Sequence, residues 1–176
     1  MELKNTMSFN QNVPAEKKQD TDNAALAIGF LRQGWNAQAF LLLSEPGSEK
    51  DPAARFAMGL CHLRADDPSS AIGCFEQALN LLKAASPSGA FVPKGASESS
   101  EICIRLTVKQ IDDETYLDPM DADLCKCFPK AAEQTVIMAM IYAYMQKGMA
   151  EQAKRLSAGL IGPAFERYKE RLTENR

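Results

Sequence analysis

The sequence predicts an all-α protein built from helical hairpins. Apolar residues recur at helical spacing in two stretches, 21–32 and 134–147, and a glycine that turns the chain follows each stretch. In both places an alanine lies five positions after that glycine, Ala39 after Gly34 and Ala153 after Gly148. Residues 52–85, between these stretches, carry a small–large–small order of side chains that is typical of two closely packed helices.

Composition places the chain among soluble globular proteins. A length of 176 residues fits one domain with a sizeable core, and the net charge of -3 supplies no field that attracts nucleic acid or anionic lipid. The first apolar run, 24–31, is too short to cross a bilayer, and the polar residues before it are unlike a secretory signal. The odd count of five cysteines indicates free thiols in a reducing compartment, so we expect a cytoplasmic protein that binds neither nucleic acid nor membrane.

The central stretch carries the strongest pattern. Gly59 and Ala71 leave room for two helices to approach, Phe75 fills the gap that they enclose, and Ala78 allows the next unit to stack. Asp51 followed by Pro52 is a good helix start, because proline in the first helical position loses no hydrogen bond. We therefore predict that residues 52–85 form two antiparallel helices.

This pattern resembles the tetratricopeptide repeat (TPR) family, whose unit of about 34 residues is a helix–turn–helix with an A-x3-F motif in its second helix. The resemblance implies a right-handed α-α superhelix of about three hairpins, with repeats at about 20–51, 52–85 and 134–163. The central copy departs from the family at Arg55, His62 and Lys83, where tryptophan, tyrosine and proline are usual. A C-terminal helix at 163–174 would cap the stack with a polar face.

The remaining residues complete one domain at 20–176, preceded by a flexible tail at 1–19. An irregular insert at 86–133 separates the second and third repeats. Within it Ile102–Val108 alternates β-branched and polar residues, which favours a strand over a connecting helix. A lone strand is unstable, so we expect a short β-hairpin with residues 90–92 or 115–117 as its partner.

The resemblance also implies a binding surface, because one face of each first helix lines the concave side of such a stack. The residues at these positions are mostly apolar, with an arginine at equivalent edges of the first two repeats. We expect the apolar ones to contact a peptide and the arginines to pair with its acidic groups. The predicted partner-binding residues are Ile28, Leu31, Arg32, Phe56, Leu60, Leu63, Arg64, Met138, Tyr142 and Met145. The competing interpretation is that the insert or the terminal helix fills this face as internal core.

Patterns of catalysis or metal binding are missing. The chain has no glycine-rich phosphate loop and no G-x-S-x-G, and its single histidine, His62, falls at a helix packing position. Cys125 and Cys127 form a close thiol pair, but with Cys103 as a third candidate nothing supplies a fourth zinc ligand at a telling spacing. We therefore expect no enzyme activity, no cofactor and no metal.

The functional prediction is a non-enzymatic adaptor or chaperone-like module that binds a peptide segment of a partner protein in its concave face. The alternative is a homo-oligomeric assembly protein, such as a homodimer, whose groove is filled by its own insert.

Overall fold

The computed structural model describes residues 16–85 and 101–174, and within these ranges it contains helices and no strands. The side chains of residues 16–22, 103, 167, 171 and 174 lie outside the description. The all-α prediction is confirmed. In chain order the helices are α1 (Glu16–Arg32), α2 (Asn36–Leu43), α3 (Pro52–Arg64), α4 (Pro68–Ala85), α5 (Glu101–Asp112), α6 (Ala122–Cys127), α7 (Pro129–Gln146), α8 (Ala150–Ser157) and α9 (Glu166–Glu174).

The central hairpin, α3 and α4, forms as its sequence predicts. The Asp51 carboxylate caps α3 by accepting a hydrogen bond of 2.9 Å from the Ala53 amide, and Pro52 occupies the first turn. Phe75 is fully buried between the two helices, and a Cβ built on Gly59 would lie only 2.4 Å from its ring. A side chain at position 59 would therefore collide with the aromatic ring that joins the two helices.

The three hairpins α1–α2, α3–α4 and α7–α8 share one type of turn. In each, the second residue after the first helix is left-handed, with φ of 79° at Gly34, 56° at Asp66 and 74° at Gly148. The amide of the next residue donates to the carbonyl five residues before it, over 2.8–2.9 Å, which belongs to Phe30, His62 or Tyr144 respectively. These are the bonds of a Schellman cap, and Asp66 adopts a conformation that glycine adopts without strain. The second helix of every hairpin thus starts in the same register.

The hairpins contact one another in sequence order despite the insert. Helix α2 packs on α3, and α4 packs extensively on α7, although residues 86–128 separate them in the chain. The small residues Ala39, Ala71 and Ala153, one in the second helix of each hairpin, are fully buried. All three hairpins contribute to a single hydrophobic core.

The predicted strand at Ile102–Val108 is wrong, because these residues belong to helix α5. The alternating set is split, with Ile102 71% and Leu106 59% exposed, whereas Ile104 and Val108 are half-buried and Ile111 is buried. Positions 104, 108 and 111 share one helix face, so the same residues satisfy a helical period as well as a period of two. Of the two predicted partner strands, residues 115–117 form a 3-10 turn and residues 90–92 lie outside the described ranges.

The chain ends are placed as follows. Helix α1 begins at Glu16, so the last residues of the predicted tail belong to it, and residues 1–15 lie outside the description. At the other end a 3-10 turn at Pro163–Phe165 leads into α9, which packs on α8. None of the helices in the described ranges has the length and hydrophobicity needed to cross a bilayer.

Candidate functional site

Half of the residues predicted to contact a partner are buried in the core. The two arginines are exposed, and Leu63, Tyr142 and Met145 are half-buried. The buried ones have relative exposures of 4% or less: Ile28, Leu31, Phe56, Leu60 and Met138. The repeat positions therefore do bring these side chains to one interior, but they do not leave them open to solvent.

The Arg64 side chain forms hydrogen bonds within the chain. Its Nη1 atom donates 2.9 Å to the Leu31 carbonyl and 2.8 Å to the Asn36 Oδ1 atom. Both acceptors belong to the turn between α1 and α2, so Arg64 joins the second hairpin to the first. These hydrogen bonds hold the two hairpins together, and the Arg64 guanidinium is not free for a partner.

Arg32 does pair with an acidic group, and that group belongs to the insert. Its Nη2 atom lies 2.9 Å from the Asp121 Oδ2 atom and 3.3 Å from the Pro119 carbonyl oxygen. The side chains of Arg32 and Asp121 are 51% and 58% exposed, so water screens the pair strongly. The contact spans 89 residues of sequence.

A stretch that we call the crossing segment, residues 115–125, lies against the predicted concave face. Its 3-10 turn contacts α7, and its helix α6 contacts both α3 and α7. The Tyr116 ring packs edge-on to Tyr142 with centroids 6.5 Å apart. Within the segment Tyr116, Met120 and Cys125 are 4–7% exposed. The segment thus buries an aromatic, a thioether and a thiol against the repeats.

Tyr116 also ties the segment to the C-terminal helix. Burial raises the pKa of its hydroxyl well above the ordinary range, and the carboxylate of Glu114, the rings of Tyr142 and Tyr168 and a hydrogen bond with Tyr168 add to that shift. The hydroxyl is therefore neutral across the physiological range. Tyr116 packs within the segment and hydrogen-bonds to Tyr168 of α9.

A cavity of about 280 Å³ remains beside the segment. It lies where the end of α1, the segment and the start of α7 meet. Its lining is mixed and includes charged and hydroxyl groups as well as methionine and leucine side chains. The lining residues are Arg32, Gln110, Thr115, Tyr116, Asp118, Pro119, Met120, Asp121, Leu124, Thr135 and Met138.

The cysteines behave as packing residues where they are buried. Burial raises the pKa of the Cys61 thiol to about 11 and that of Cys125 to about 12. The Cys125 Sγ atom lies 3.8 Å from the Met120 sulfur, and Cys127 is exposed on the opposite side of α6. Neutral buried thiols are poor nucleophiles. Within the described residues, no three histidine, cysteine or acidic side chains converge on a point that could hold a metal ion.

His62 serves the turn of the central hairpin. Its Nδ1 atom lies 3.4 Å from the Asp67 Oδ2 atom, and its ring meets the Phe40 ring edge-on at 5.7 Å. Hydrogen bonds from Ser70 are the largest cause that lowers the pKa of Asp67, which caps α4, and His62 contributes less. The histidine is thus fixed between two hairpins and does not face a cleft.

The first hairpin also exposes apolar side chains on its outer surface. Leu26 is 50% exposed and Trp35 51% exposed. Leu26 lies one turn before Phe30, whose ring packs 5.4 Å from the Trp35 ring. We call Leu26, Phe30 and Trp35 the outer apolar cluster. It lies on the side of α1 opposite the buried residues Ala27 and Leu31.

Sequence reasoning found Arg32 and Tyr142 but missed what they contact. Asp121 and Tyr116 lie in the stretch that we expected to be an irregular insert, and no periodic signal marks them. The one available clue was composition, since Tyr116, Leu117 and Met120 are apolar residues among many acidic ones.

In comparisons with protein-family models, curated proteins and solved structures, nothing matches this chain.

Proposed function

We propose that the chain is a non-enzymatic protein-binding module, a right-handed superhelix of three TPR-like hairpins that holds an extended segment of a partner on its concave face. Three features support the repeat assignment. The turns share one hydrogen-bond pattern, the Gly59–Phe75 contact fits the small–large packing of such a unit, and α4 stacks on α7 across the insert.

The observation that carries the function is how Arg32 and Tyr142 hold the chain's own segment. Arg32 binds one carboxylate and one backbone carbonyl of a non-helical stretch, and Tyr142 packs on an aromatic ring three to five residues before these acceptors. A carboxylate, a carbonyl and an apolar side chain are groups that a partner peptide also offers. The face is therefore chemically suited to peptide recognition.

The test uses surface substitutions. Phe56 and Leu60 are 0% and 1% exposed, so charged residues there would test folding and not binding. Arg32→Glu reverses a charge on the proposed face, and Lys154→Glu makes the same change on the exposed side of α8. Tagged chains purified from their native cells are compared by mass spectrometry of what co-elutes, and circular dichroism verifies that each is folded.

We expect wild type and Lys154→Glu to capture the same partner and Arg32→Glu to lose most of it. Capture of the same partner by all three chains would place binding elsewhere. Enrichment of no protein over an unrelated bait would reject the adaptor function.

The outer apolar cluster favours a second candidate function, self-assembly of two copies. Tryptophan is enriched at protein interfaces, and an exposed apolar patch is a frequent interaction site. Leu26→Glu places a charge in the cluster, and Gln33→Glu is the matched change at an exposed position of the same hairpin. Light scattering should give twice the chain mass for wild type and Gln33→Glu, and a single mass for Leu26→Glu. A monomeric wild type at high concentration rejects this candidate.

A further inference from the structure

We propose that the crossing segment is an internal ligand of the concave face, and that the partner displaces it with a segment of like chemistry: an acidic side chain for Arg32 directly after a large apolar side chain. The inference rests on the proposed function and goes beyond it by specifying the chemistry of the partner. In the chain itself these two groups are Met120 and Asp121.

The polar contacts that hold the segment are ones that a partner peptide can replace. Arg32 donates to a carboxylate and a main-chain carbonyl, and both ionic side chains are more than half exposed. Such a pair contributes little net stability and any acidic peptide reproduces it. Arg32 therefore selects for charge without fixing the segment permanently.

The apolar contacts of the segment determine how much buried apolar surface the partner must replace. Tyr116, Met120 and Cys125 are all at least nine-tenths buried, so lifting the segment exposes three apolar groups to water. The open state is a minor one, and the apparent affinity of a partner falls in proportion to its population. A partner that matches only the charge cannot compete, so it must also supply apolar contacts.

The cavity gives a competing segment room to gain contacts. Its volume of about 280 Å³ lies between Arg32 and Met138, and Met120 and Leu124 form part of its wall. The segment thus fills the face incompletely. A side chain larger than methionine at the place of Met120 would occupy this space, which offsets part of the cost of displacement.

The direct test is competition with the chain's own sequence. The probe is a fluorescein-labelled peptide of residues 113–127 carrying Cys125→Ser and Cys127→Ser, and its binding to the full chain is measured by fluorescence anisotropy. The chain is compared as wild type, Asp121→Ala, Met120→Ala and Asp123→Ala. Asp123 is an exposed carboxylate on α6, so its removal is the charge-matched control.

We expect Met120→Ala to bind the probe at least about tenfold more tightly than wild type does, because its own segment competes less well. Asp121→Ala should gain up to about fivefold, as suits an exposed ion pair, and Asp123→Ala should behave as wild type. A probe that itself carries Asp121→Ala should lose affinity for the Met120→Ala chain, and this loss should disappear when the chain also carries Arg32→Ala.

Cys125 supplies an independent readout within the chain. It is a buried residue of the segment, whereas Cys127 two residues later is exposed, so alkylation by iodoacetamide should label Cys127 first. Addition of saturating probe should speed labelling of Cys125 and leave Cys127 unchanged. Mass spectrometry of the digested chain resolves the two sites.

Equal probe affinity for Met120→Ala and Asp123→Ala overturns the inference, provided that both are folded by circular dichroism. Cys125 labelling that proceeds only at the rate of global unfolding, with or without probe, overturns it as well. If the probe fails while partner capture still depends on Arg32, the adaptor function stands and the internal ligand alone is rejected. A bait that captures no partner rejects the adaptor function independently of the probe.

Discussion

Replacement of Gly59 by alanine tests the contact on which the central hairpin depends. The added Cβ would lie 2.4 Å from Cε1 and 2.6 Å from Cδ1 of Phe75, distances at which the ring must move. The ring is fully buried and packs 5.3 Å from the Phe56 ring, so it has little space to shift. Overpacking of this kind costs about 1–3 kcal/mol.

The helix propensity of alanine opposes this cost, since alanine is about 1 kcal/mol more favourable than glycine inside a helix. Because the collision involves three ring atoms, we take the upper part of the overpacking range and expect Gly59→Ala to lower the free energy of unfolding by about 1–2 kcal/mol. Gly73→Ala in α4 is the matched control, because nothing lies within 4 Å of its added Cβ. That variant should gain about 0.5–1 kcal/mol.

Urea unfolding followed by circular dichroism at the helix band measures both variants. A double variant, Gly59→Ala with Phe75→Leu, separates collision from any other effect, since the smaller side chain should recover part of the loss. If Gly59→Ala proves as stable as Gly73→Ala, the two helices are not held at the separation described here and the small–large reasoning fails.

Three further predictions use the same unfolding assay. Phe75→Ala should cost about 3–5 kcal/mol as the removal of a buried aromatic, and an unchanged urea midpoint would contradict the register of the hairpin. Ala153→Leu should cost about 1–3 kcal/mol, because Ala153 is fully buried between α7 and α8, whereas Glu151→Leu on the exposed side should cost little. Raising the pH above about 9 should lower the free energy of unfolding. The unfolded chain then loses thiol protons that Cys61 and Cys125 keep in the folded chain, because burial raises their pKa values to about 11 and 12. Below the thiol pKa of the unfolded chain, the stability contributed by the buried neutral thiols is fully present. Cys125→Ala should reduce the loss of stability at alkaline pH. A comparison of urea midpoints at about pH 8 and pH 10 measures that loss.

The hairpins were predictable because their signals are local. A helix followed by a left-handed glycine and an alanine five residues later determines one turn and one packing position, as at Gly34 and Gly148. The central hairpin lacks that glycine, yet Asp66 takes the same conformation, since neighbouring helices impose it. Short-range order thus sufficed for α1–α4 and for α7 and α8.

Helix α5 was missed because its sequence satisfies two periods. Ile104 and Val108 are four residues apart, which places them on one side of a strand and also on one face of a helix. The contacts of α5 with Pro163–Phe165 and with the 3-10 turn at Thr115–Leu117 decided in favour of the helix. The first contact is remote in sequence and the second involves an irregular stretch. Propensity for β structure is weak enough to yield to such contacts.

The contact between Arg32 and the insert was beyond local reasoning for a different cause. Helical spacing identifies which side chains share a face, but Arg32 and Asp121 are 89 residues apart and no spacing rule joins them. The position of residues 115–125 beside α3 and α7 could therefore be read only from the three-dimensional structure.

The position of the insert in the chain accounts for where it lies. Helices α4 and α7 pack on each other, so everything between residues 85 and 129 must leave the stack and return to nearly the same place. Closing a loop of this length costs only slightly more than closing a shorter one. A segment tethered beside α3 and α7 has a high effective concentration there, so modest contacts suffice to hold it. Under the proposed function a partner competes with this tethered segment, so changes in the crossing segment should tune recognition without altering the hairpins.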